Sequence, residues 1–194
     1  MLIGVLALQG AFREHRRALA KAGAAAREVR LPAELEGLDA LVIPGGESTT
    51  IGKLMVSYHL LESVRELAAA GLPVFGTCAG LVMLAREVVE GEQPLLGLMD
   101  IRVRRNAFGR QVRSFEADLD LPLLGKQPFH GVFIRAPWIE SAGPGVEVLA
   151  EYQGHAVAAR QDNLLVTAFH PELTEDLRLH RQFIGMAASL TPWR

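Results

Sequence analysis

The sequence predicts a three-layer α/β fold of flavodoxin-like type, with a mostly parallel sheet to which antiparallel strands are added. Two observations predict this class. Short apolar segments alternate with segments of helical spacing in the first half of the chain and again at its end, which is the pattern of a parallel sheet covered on both faces. The middle third instead holds short β-rich segments separated by Gly or Pro, which indicates antiparallel strands.

The first segments set the alternation. Leu2–Leu8 is a continuous apolar run that we interpret as a buried strand rather than a signal peptide, since no basic residues precede it. Gly10–Ala22 follows with apolar residues at roughly helical spacing. Arg27–Leu31 is a weak strand, whereas Ala40–Ile43 is a strong one that stops at Pro44-Gly45-Gly46.

The next segments repeat the pattern. A helix capped by Ser48 or Thr49 is predicted to run to about Val56. A second helix is predicted over His59–Ala70, before the short apolar strand Pro73–Gly76. Gly80–Glu87 is predicted to be helical.

The remaining elements complete the fold. Leu164–Phe169 returns to a buried strand, and Glu172–Leu190 is predicted to be one long helix. We expect residues 1–194 to form a single domain, because the sequence shows no repeat, linker or low-complexity tract. The segments predicted as antiparallel strands are Ile101–Arg104, Phe129–Ile134, Val146–Tyr152 and Ala156–Arg160.

Composition argues against several classes of protein. The chain has 194 residues, 49% hydrophobic and 22% charged, with a net charge of −2, so no global field draws it to nucleic acid or a membrane. No stretch approaches the roughly 18 apolar residues of a membrane span. A single cysteine allows no internal disulfide, which favours a reducing, cytoplasmic location.

That one cysteine lies in a pattern typical of a nucleophile. Gly76-Thr77-Cys78-Ala79-Gly80 has the form G-x-C-x-G between an apolar strand and a helix, the cysteine counterpart of the G-x-S-x-G elbow. The glycines permit a sharp turn that exposes the sulfur, and the N–H groups at the helix start favour the thiolate. The alternative is a small buried core residue, which the flanking glycines make less attractive.

His170 is the best candidate for a catalytic base. It alone among the six histidines follows directly on a strongly apolar strand, and Glu172 two residues later can orient its ring if the segment is extended. His-Pro-Glu could equally begin a helix. His15, His59 and His180 lie in helical patterns, where a surface histidine or a satisfied one is favoured. We expect no metal, because no two histidines have ligand spacing on one helix face.

Backbone N–H groups near Cys78 could stabilise an oxyanion. One donor is predicted to be Ala79, the residue after the nucleophile, and another to come from Gly45-Gly46 at the end of a neighbouring strand. An ordinary turn is the alternative for this glycine pair. The polar run Glu47-Ser48-Thr49-Thr50 that follows favours contacts to a ligand.

These segments together resemble the triad (class I) glutamine amidotransferases, and most closely the glutaminase subunits of pyridoxal 5′-phosphate synthase. The resemblance covers essentially the whole chain. Its motifs are Gly4–Gly10 with Glu14-His15, Pro44–Thr50, Gly76–Leu81, Arg105–Gln111 and His170–Leu173.

The resemblance implies an enzyme without a cofactor that hydrolyses L-glutamine to L-glutamate and ammonia. It implies a separate ring-forming synthase subunit that takes up the ammonia. It also implies a triad of Cys78, His170 and Glu172, with an oxyanion hole at Gly46 and Ala79. The implied glutamine contacts are Gly46, Glu47, Ser48, Arg105, Ile134 and Arg135.

An arginine suits the α-carboxylate of glutamine, because a guanidinium can pair with it through two hydrogen bonds. Arg105 and Arg135 are both candidates. The arginines around the first candidate could instead form a nucleic-acid patch, although the net charge of −2 favours a solvated face. This group consists of Arg102, Arg104, Arg105, Arg110 and Arg113.

Three alternatives stay open. A cysteine peptidase on this fold is disfavoured, because Ala79 stands where such enzymes often have histidine. A glutaminase for a different synthase would share the chemistry and differ in its docking surface. A non-catalytic regulatory protein on the same fold is disfavoured by the intact set of Cys78, His170 and Glu172.

Overall fold

The computed structural model describes residues 1–108 and 114–190. Its helices are α1 (Phe12–Lys21), α2 (Ser48–Ser57), α3 (Leu60–Ala69), α4 (Ala79–Leu84) and α5 (Arg178–Leu190). Its strands are β1 (Leu2–Leu6), β2 (Ala25–Val29), β3 (Ala40–Ile43), β4 (Val74–Thr77), β5 (Ala85–Val88), β6 (Met99–Arg104), β7 (Ser114–Leu119), β8 (Phe129–Ile134), β9 (Trp138–Ala142), β10 (Glu147–Tyr152), β11 (His155–Gln161) and β12 (Leu164–Thr167). Short 3-10 turns lie at Pro32–Leu35, Pro122–Leu124 and Pro171–Leu173.

The main sheet has the strand order β2-β1-β3-β4-β12-β11-β9-β6-β5, with β10 paired to β11 outside this path. The first five strands run parallel to one another. Strand β11 is antiparallel to β12, to β9 and to β10, and β9 is antiparallel to β6. The predicted fold class, a mostly parallel sheet with added antiparallel strands, is confirmed.

Helices pack on the parallel half of the sheet in two groups, α1 with α5 and α2 with α3 and α4. Phe75 of β4 contacts the rings of His15 in α1 and of His180 and Phe183 in α5. The next residue, Gly76, packs against the backbone of α4. Because adjacent strand residues point to opposite faces, the two helix groups cover opposite faces and make three layers.

The parallel strands carry the candidate site at one edge. Pairing of Leu164–Thr167 with Val74–Thr77 brings the carboxyl ends of β12 and β4 side by side, and β3 lies on the other side of β4. The backbone N–H of Cys78 donates to the carbonyl of Thr167 over 2.8 Å. The loops after β1, β3, β4 and β12 therefore meet at one edge, as predicted for an open α/β sheet.

Two predicted helices are wrong in extent. The helix predicted over Gly80–Glu87 ends at Leu84, because Ala85–Val88 pairs as a strand with β6. The helix predicted over Glu172–Leu190 starts only at Arg178, whose N–H donates to the Asp176 carboxylate over 3.0 Å. Both differences arise from hydrogen bonds that override helical periodicity.

The middle third is more divided than predicted. Phe129–Ile134 is a strand, but it forms a separate two-stranded sheet with Ser114–Leu119 instead of joining the main sheet. Strands β7 and β9 were not predicted. Alternating buried and exposed side chains along β8 show that one face of this pair packs inward.

Among the described residues, no helix combines the length and the apolar character that crossing a membrane requires.

Candidate active site

Cys78 lies at the sharp turn between β4 and α4. Its backbone angles, φ 49° and ψ −100°, are strained for a residue with a side chain. A Cβ added to Gly76 would lie 2.5 Å from the carbonyl oxygen of Gly80, and one added to Gly80 would overlap the carbonyl oxygen of Ile43. Both glycines are therefore required by the close approach of backbone, as the elbow pattern predicts.

His170 and Glu172 meet directly behind the cysteine. The Nδ1 atom of His170 lies 2.7 Å from Oε1 of Glu172, and both residues are 7% exposed. Their segment is a 3-10 turn and not the extended chain that was predicted, yet it brings the two side chains together. The His170 N–H donates to the carbonyl of Val132 over 2.8 Å, so β8 holds the backbone of the candidate base.

The charges of this pair support one another. Burial disfavours a charged imidazole, but hydrogen bonds with Cys78 and Glu172 outweigh burial and raise the pKa of His170 to about 10. Burial likewise opposes ionisation of Glu172, whereas the neighbouring His15 and His170 lower the pKa of its carboxyl. The arrangement favours an imidazolium between an ionised carboxylate and the cysteine sulfur.

The glycine pair after β3 closes over these groups. A Cβ on Gly45 would overlap the ring of His170 and lie 3.3 Å from Cβ of Cys78. The carbonyl of Gly45 accepts from the N–H of Ala11 over 3.0 Å, and the N–H of Glu47 donates to Oε1 of Gln9 over 2.8 Å. The loop after β1 thus orients the peptides that flank Gly46.

One cavity of about 330 Å³ joins the predicted site residues. Cys78 and His170 line it together with both predicted oxyanion donors, Gly46 and Ala79. Glu172 lies behind His170 and is not part of the lining. The remaining predicted contact residues in the lining are Glu47, Ser48, Arg105, Ile134 and Arg135.

Arg105 is held in the cavity wall by hydrogen bonds. Its Nη1 donates to Thr49 Oγ1 over 3.1 Å and to Gln93 Oε1 over 3.0 Å. Its backbone N–H donates to the carboxylate of Glu90. Arg135, in contrast, is exposed and adopts a strained φ of 45°, with no ion pair to any residue in the described ranges.

Glu47, and not Ser48 or Thr49, caps α2. Its carboxylate accepts from the N–H groups of Thr49 and Thr50 and from the Thr50 hydroxyl. Burial opposes ionisation here, but these hydrogen bonds lower the pKa of Glu47. The predicted cap is therefore wrong, and the helix starts at Ser48, one or two residues earlier than a cap at Ser48 or Thr49 implies.

The neighbouring arginines are paired with acids. Arg102 lies 2.9 Å from Glu87, and Arg104 lies 3.0 Å from Glu140. Arg110 and Arg113 lie outside the described residues, as do Gly109 and Gln111 of the same motif. Within residues 1–108 and 114–190, no three potential ligands converge in a way that could hold a metal ion.

Sequence reasoning missed three side chains around the site. Gln93 lies in a segment without regular structure, and nothing in its sequence context pointed to the cavity. His15 and His180 lie in α1 and α5 as predicted, and both are completely buried, so the surface alternative is wrong for them, while their role near the site was not foreseen. The spacing of His15 and Leu19, one helical turn apart on the buried face of α1, is the signal that could have located the first of them.

A cysteine at a strand-to-helix elbow, beside a His–Glu pair at the carboxyl edge of a mostly parallel sheet, is the arrangement of the triad class of glutamine amidotransferases. The SNO glutamine amidotransferase family matches residues 5–189, and the chain belongs to this family.

Relatives of known name agree with this placement. The chain is 62% identical over 186 residues to the pyridoxal 5′-phosphate synthase subunit PdxT of Moorella thermoacetica, covering 96% of this chain and 99% of the relative. It is 63% identical over 184 residues to the subunit of the same name from Pelotomaculum thermopropionicum, covering 95% and 94%. A crystal structure of a glutamine amidotransferase superimposes with a TM-score of 0.91 at 55% identity, covering 96% of this chain and 98% of that one.

Proposed function

We propose that this chain is the glutamine-hydrolysing subunit of a pyridoxal 5′-phosphate synthase, and that it releases ammonia from L-glutamine for a ring-forming partner subunit. The observation that carries the glutaminase activity is the placement of Cys78 and His170 in one cavity, with Glu172 bound to the far side of the imidazole. The match over nearly the whole chain to relatives named pyridoxal 5′-phosphate synthase subunit PdxT supports the proposal that a ring-forming subunit is the partner.

The first half of the proposed reaction makes a thioester. The Cys78 thiolate attacks the side-chain carboxamide carbon of glutamine, and the carbonyl oxygen becomes an oxyanion. Backbone N–H groups of Gly46 and Ala79 stabilise this charge. His170 gives its ring proton to the nitrogen as the carbon–nitrogen bond breaks, so ammonia leaves. A pKa raised to about 10 means that the imidazole carries this proton at neutral pH.

The second half restores the enzyme. Neutral His170 takes a proton from water as the water oxygen attacks the thioester carbon. The carbon–sulfur bond then breaks, releasing glutamate and the thiolate. Glu172 stays ionised throughout and holds the imidazole by its Nδ1.

The two ends of glutamine need different partners. We infer that its α-carboxylate binds Arg105 or Arg135, which both line the cavity. Glu47, Ser48 and the backbone around Ile134 complete the polar wall. Because the Glu47 carboxylate is already engaged by Thr49 and Thr50, it acts as a fixed acceptor for the α-ammonium.

Two further proposals concern the whole chain. We propose that residues 1–194 act as one amidotransferase domain, since one cavity draws its lining from the loops of both halves of the sequence. We also propose a cytoplasmic location, where the single unpaired cysteine stays reduced. Fluorescence microscopy or fractionation of the native host tests the location.

The test of the function is glutamate release from L-glutamine, measured with and without the ring-forming subunit. We expect Cys78→Ala to lower the rate by at least about 10³-fold, because no other side chain replaces the nucleophile. If the partner subunit also completes the oxyanion hole, we expect the isolated wild-type chain to be nearly idle, and a full glutaminase rate without the partner contradicts that expectation alone. A Cys78→Ala protein with undiminished activity contradicts the proposal.

Supplying ammonia directly distinguishes the role of this chain from that of the ring-forming subunit. The Cys78→Ala complex should make pyridoxal 5′-phosphate from ammonium salts at the wild-type rate, but not from glutamine. If the wild-type complex hydrolyses glutamine yet makes no coenzyme, the chain serves a different synthase. If neither the wild-type nor the Cys78→Ala complex hydrolyses glutamine, and Cys78 does not react with a glutamine-like electrophile, the chain is a regulatory protein on this fold.

A further inference from the structure

Two fully buried histidines lie behind the candidate triad. His15 of α1 and His180 of α5 are both 0% exposed, in the layer that covers one face of the sheet. Buried polar groups are costly unless they are hydrogen-bonded, so a pair of them inside a helix layer needs a reason. The proposed mechanism does not use either ring.

The contacts of these rings form a chain that ends at the reacting groups. His15 Nε2 lies 3.0 Å from the hydroxyl of Thr77, the residue before Cys78, and 3.3 Å from Oε2 of Glu172. On its other side, His15 Nδ1 lies 3.1 Å from Nε2 of His180. One ring therefore touches both the strand that carries the cysteine and the turn that orients His170.

The charges in this chain are set by burial. Burial lowers the pKa of His15, and the charge of His170 lowers it further, although Glu172 acts in the opposite direction. Burial, together with His15, lowers the pKa of His180 to about 3. Both rings are therefore neutral at pH 7, and each carries a single ring hydrogen.

Only one placement of those hydrogens fits every contact. Ionised Glu172 can only accept, so the hydrogen of His15 lies on Nε2, where it faces both Oε2 and Thr77. Nδ1 of His15 then accepts from Nε2–H of His180. The remaining atom, Nδ1 of His180, is a bare acceptor without a hydrogen-bond partner among the described residues.

We propose that His15 is a positioning residue for the reaction, and that His180 fixes its tautomer. Oε2 of Glu172 makes no hydrogen bond to any residue in the described part of the chain, and Nε2 of His15 lies 3.3 Å from it, so this N–H is the polar group that faces and holds that oxygen. Held in this way, Glu172 keeps Oε1 against Nδ1 of His170. The contact of His15 with Thr77 fixes the end of β4, and with it the position of the elbow relative to Glu172. This inference rests on the proposed roles of Cys78, His170 and Glu172.

The test compares two substitutions of His15 in the complex with the ring-forming subunit. His15→Leu removes the donor, and we expect kcat for glutamine hydrolysis to fall by about 10- to 100-fold, as for other partners of a catalytic or ligating group. KM should change by less than about threefold, because the ring does not line the cavity. His15→Gln places an amide near the position of Nε2, and we expect it to restore most of kcat.

Phe183→Leu is the matched packing control. Phe183 is buried against Phe75, which also contacts both histidine rings, so the change loosens the same layer and removes no polar group. We expect it to lower the unfolding temperature with kcat within about threefold of wild type. A fall in kcat for Phe183→Leu as large as for His15→Leu overturns the proposal, and so does failure of His15→Gln to exceed His15→Leu.

A spectroscopic readout keeps the proposal testable even if His15→Leu does not fold. Nitrogen-15 spectra of the wild-type chain should show His15 protonated at Nε2 and bare at Nδ1, and the opposite tautomer overturns the proposal. Cys78→Ala distinguishes failure of the proposed function from failure of the proposed role of His15. Full activity in that variant contradicts the proposed function, whereas an inactive Cys78→Ala with a fully active His15→Leu contradicts only the role of His15.

Discussion

Gln93 joins three polar side chains through a single atom, and two of them, Ser48 and Arg105, line the cavity. Its Oε1 accepts from the hydroxyls of Ser48 and Thr49, each over 3.2 Å, and from Nη1 of Arg105 over 3.0 Å. The Nε of Arg105 is buried without a hydrogen-bond partner among the described residues, so the bond from Nη1 to Gln93 is a main constraint on the guanidinium. Gln93 therefore orients a proposed glutamine-binding residue without lining the cavity itself.

We expect Gln93→Leu to raise KM for glutamine about tenfold and to leave kcat within about twofold. The physical reason is that one buried hydrogen bond to a charged group contributes about 1.5 kcal/mol, and this one acts on binding. Steady-state glutaminase kinetics in the complex measure both constants. Gln127→Leu, at an exposed glutamine that does not line the cavity, should change neither. A fall in kcat at unchanged KM would place Gln93 in the chemistry instead.

At the scale of elements, the elbow depends on how closely α4 approaches β3. Gly80 lies in α4 with its Cα against the carbonyl oxygen of Ile43, where a Cβ would overlap that oxygen. Any side chain here must separate the helix from the sheet, and Cys78 moves with the helix. Gly185 lies in α5, and a Cβ there would meet no atom within 4 Å.

The same substitution at these two glycines should therefore have opposite effects. We expect Gly80→Ala to lower the free energy of unfolding by about 1–3 kcal/mol through overpacking, and to abolish most glutaminase activity. We expect Gly185→Ala to raise it by about 0.5–1 kcal/mol, because alanine is the better helix former. Denaturant titration of both variants measures the two changes. A stabilised and active Gly80→Ala would show that the elbow tolerates a wider turn.

Some elements could be predicted and others could not. The buried strands β1, β3, β4 and β12 have local signatures, since apolar runs bounded by glycine or turns indicate them directly. Strand β5 forms because Val88 pairs with Val103 of the neighbouring strand β6. The sequence of Ala85–Val88 alone does not distinguish this strand from the end of a helix. The missed start of α5 has a local origin instead, because the N–H of Arg178 donates to the carboxylate of Asp176 two residues earlier.

At the scale of the whole molecule, buried histidines couple stability to pH from both sides. His180 has a folded pKa of about 3, so below about pH 6.5 the unfolded chain binds a proton that the folded chain excludes, and stability falls as pH drops. The lowered pKa values of His15 and Glu172 act in the same direction. His170, with a pKa raised to about 10, stabilises fully below pH 6.5 and loses this contribution as pH rises through 10.

We therefore expect the free energy of unfolding to be greatest near pH 6.5. On the acid side, each excluded proton contributes a slope of about 1.4 kcal/mol per pH unit. His180→Phe should reduce that slope by the contribution of about one excluded proton, whatever the substitution does to the free energy of unfolding at pH 7. Urea titrations between pH 5 and pH 9 measure it. Phe183→Leu, which removes no titratable group, should shift the whole curve and keep its slope, and an unchanged acid slope in His180→Phe contradicts the expectation.

The sequence by itself determined the fold class, the elbow at Cys78 and the candidate pairing of His170 with Glu172. These features depend on neighbours within a few residues, where glycine sterics and apolar runs act directly. Only the tertiary structure decided that Gln93 joins Arg105 to Ser48 and Thr49, and that two histidines of α1 and α5 stand behind Glu172. Such contacts join segments far apart in the chain, and no local propensity encodes them, because they form only when the layers close on the sheet.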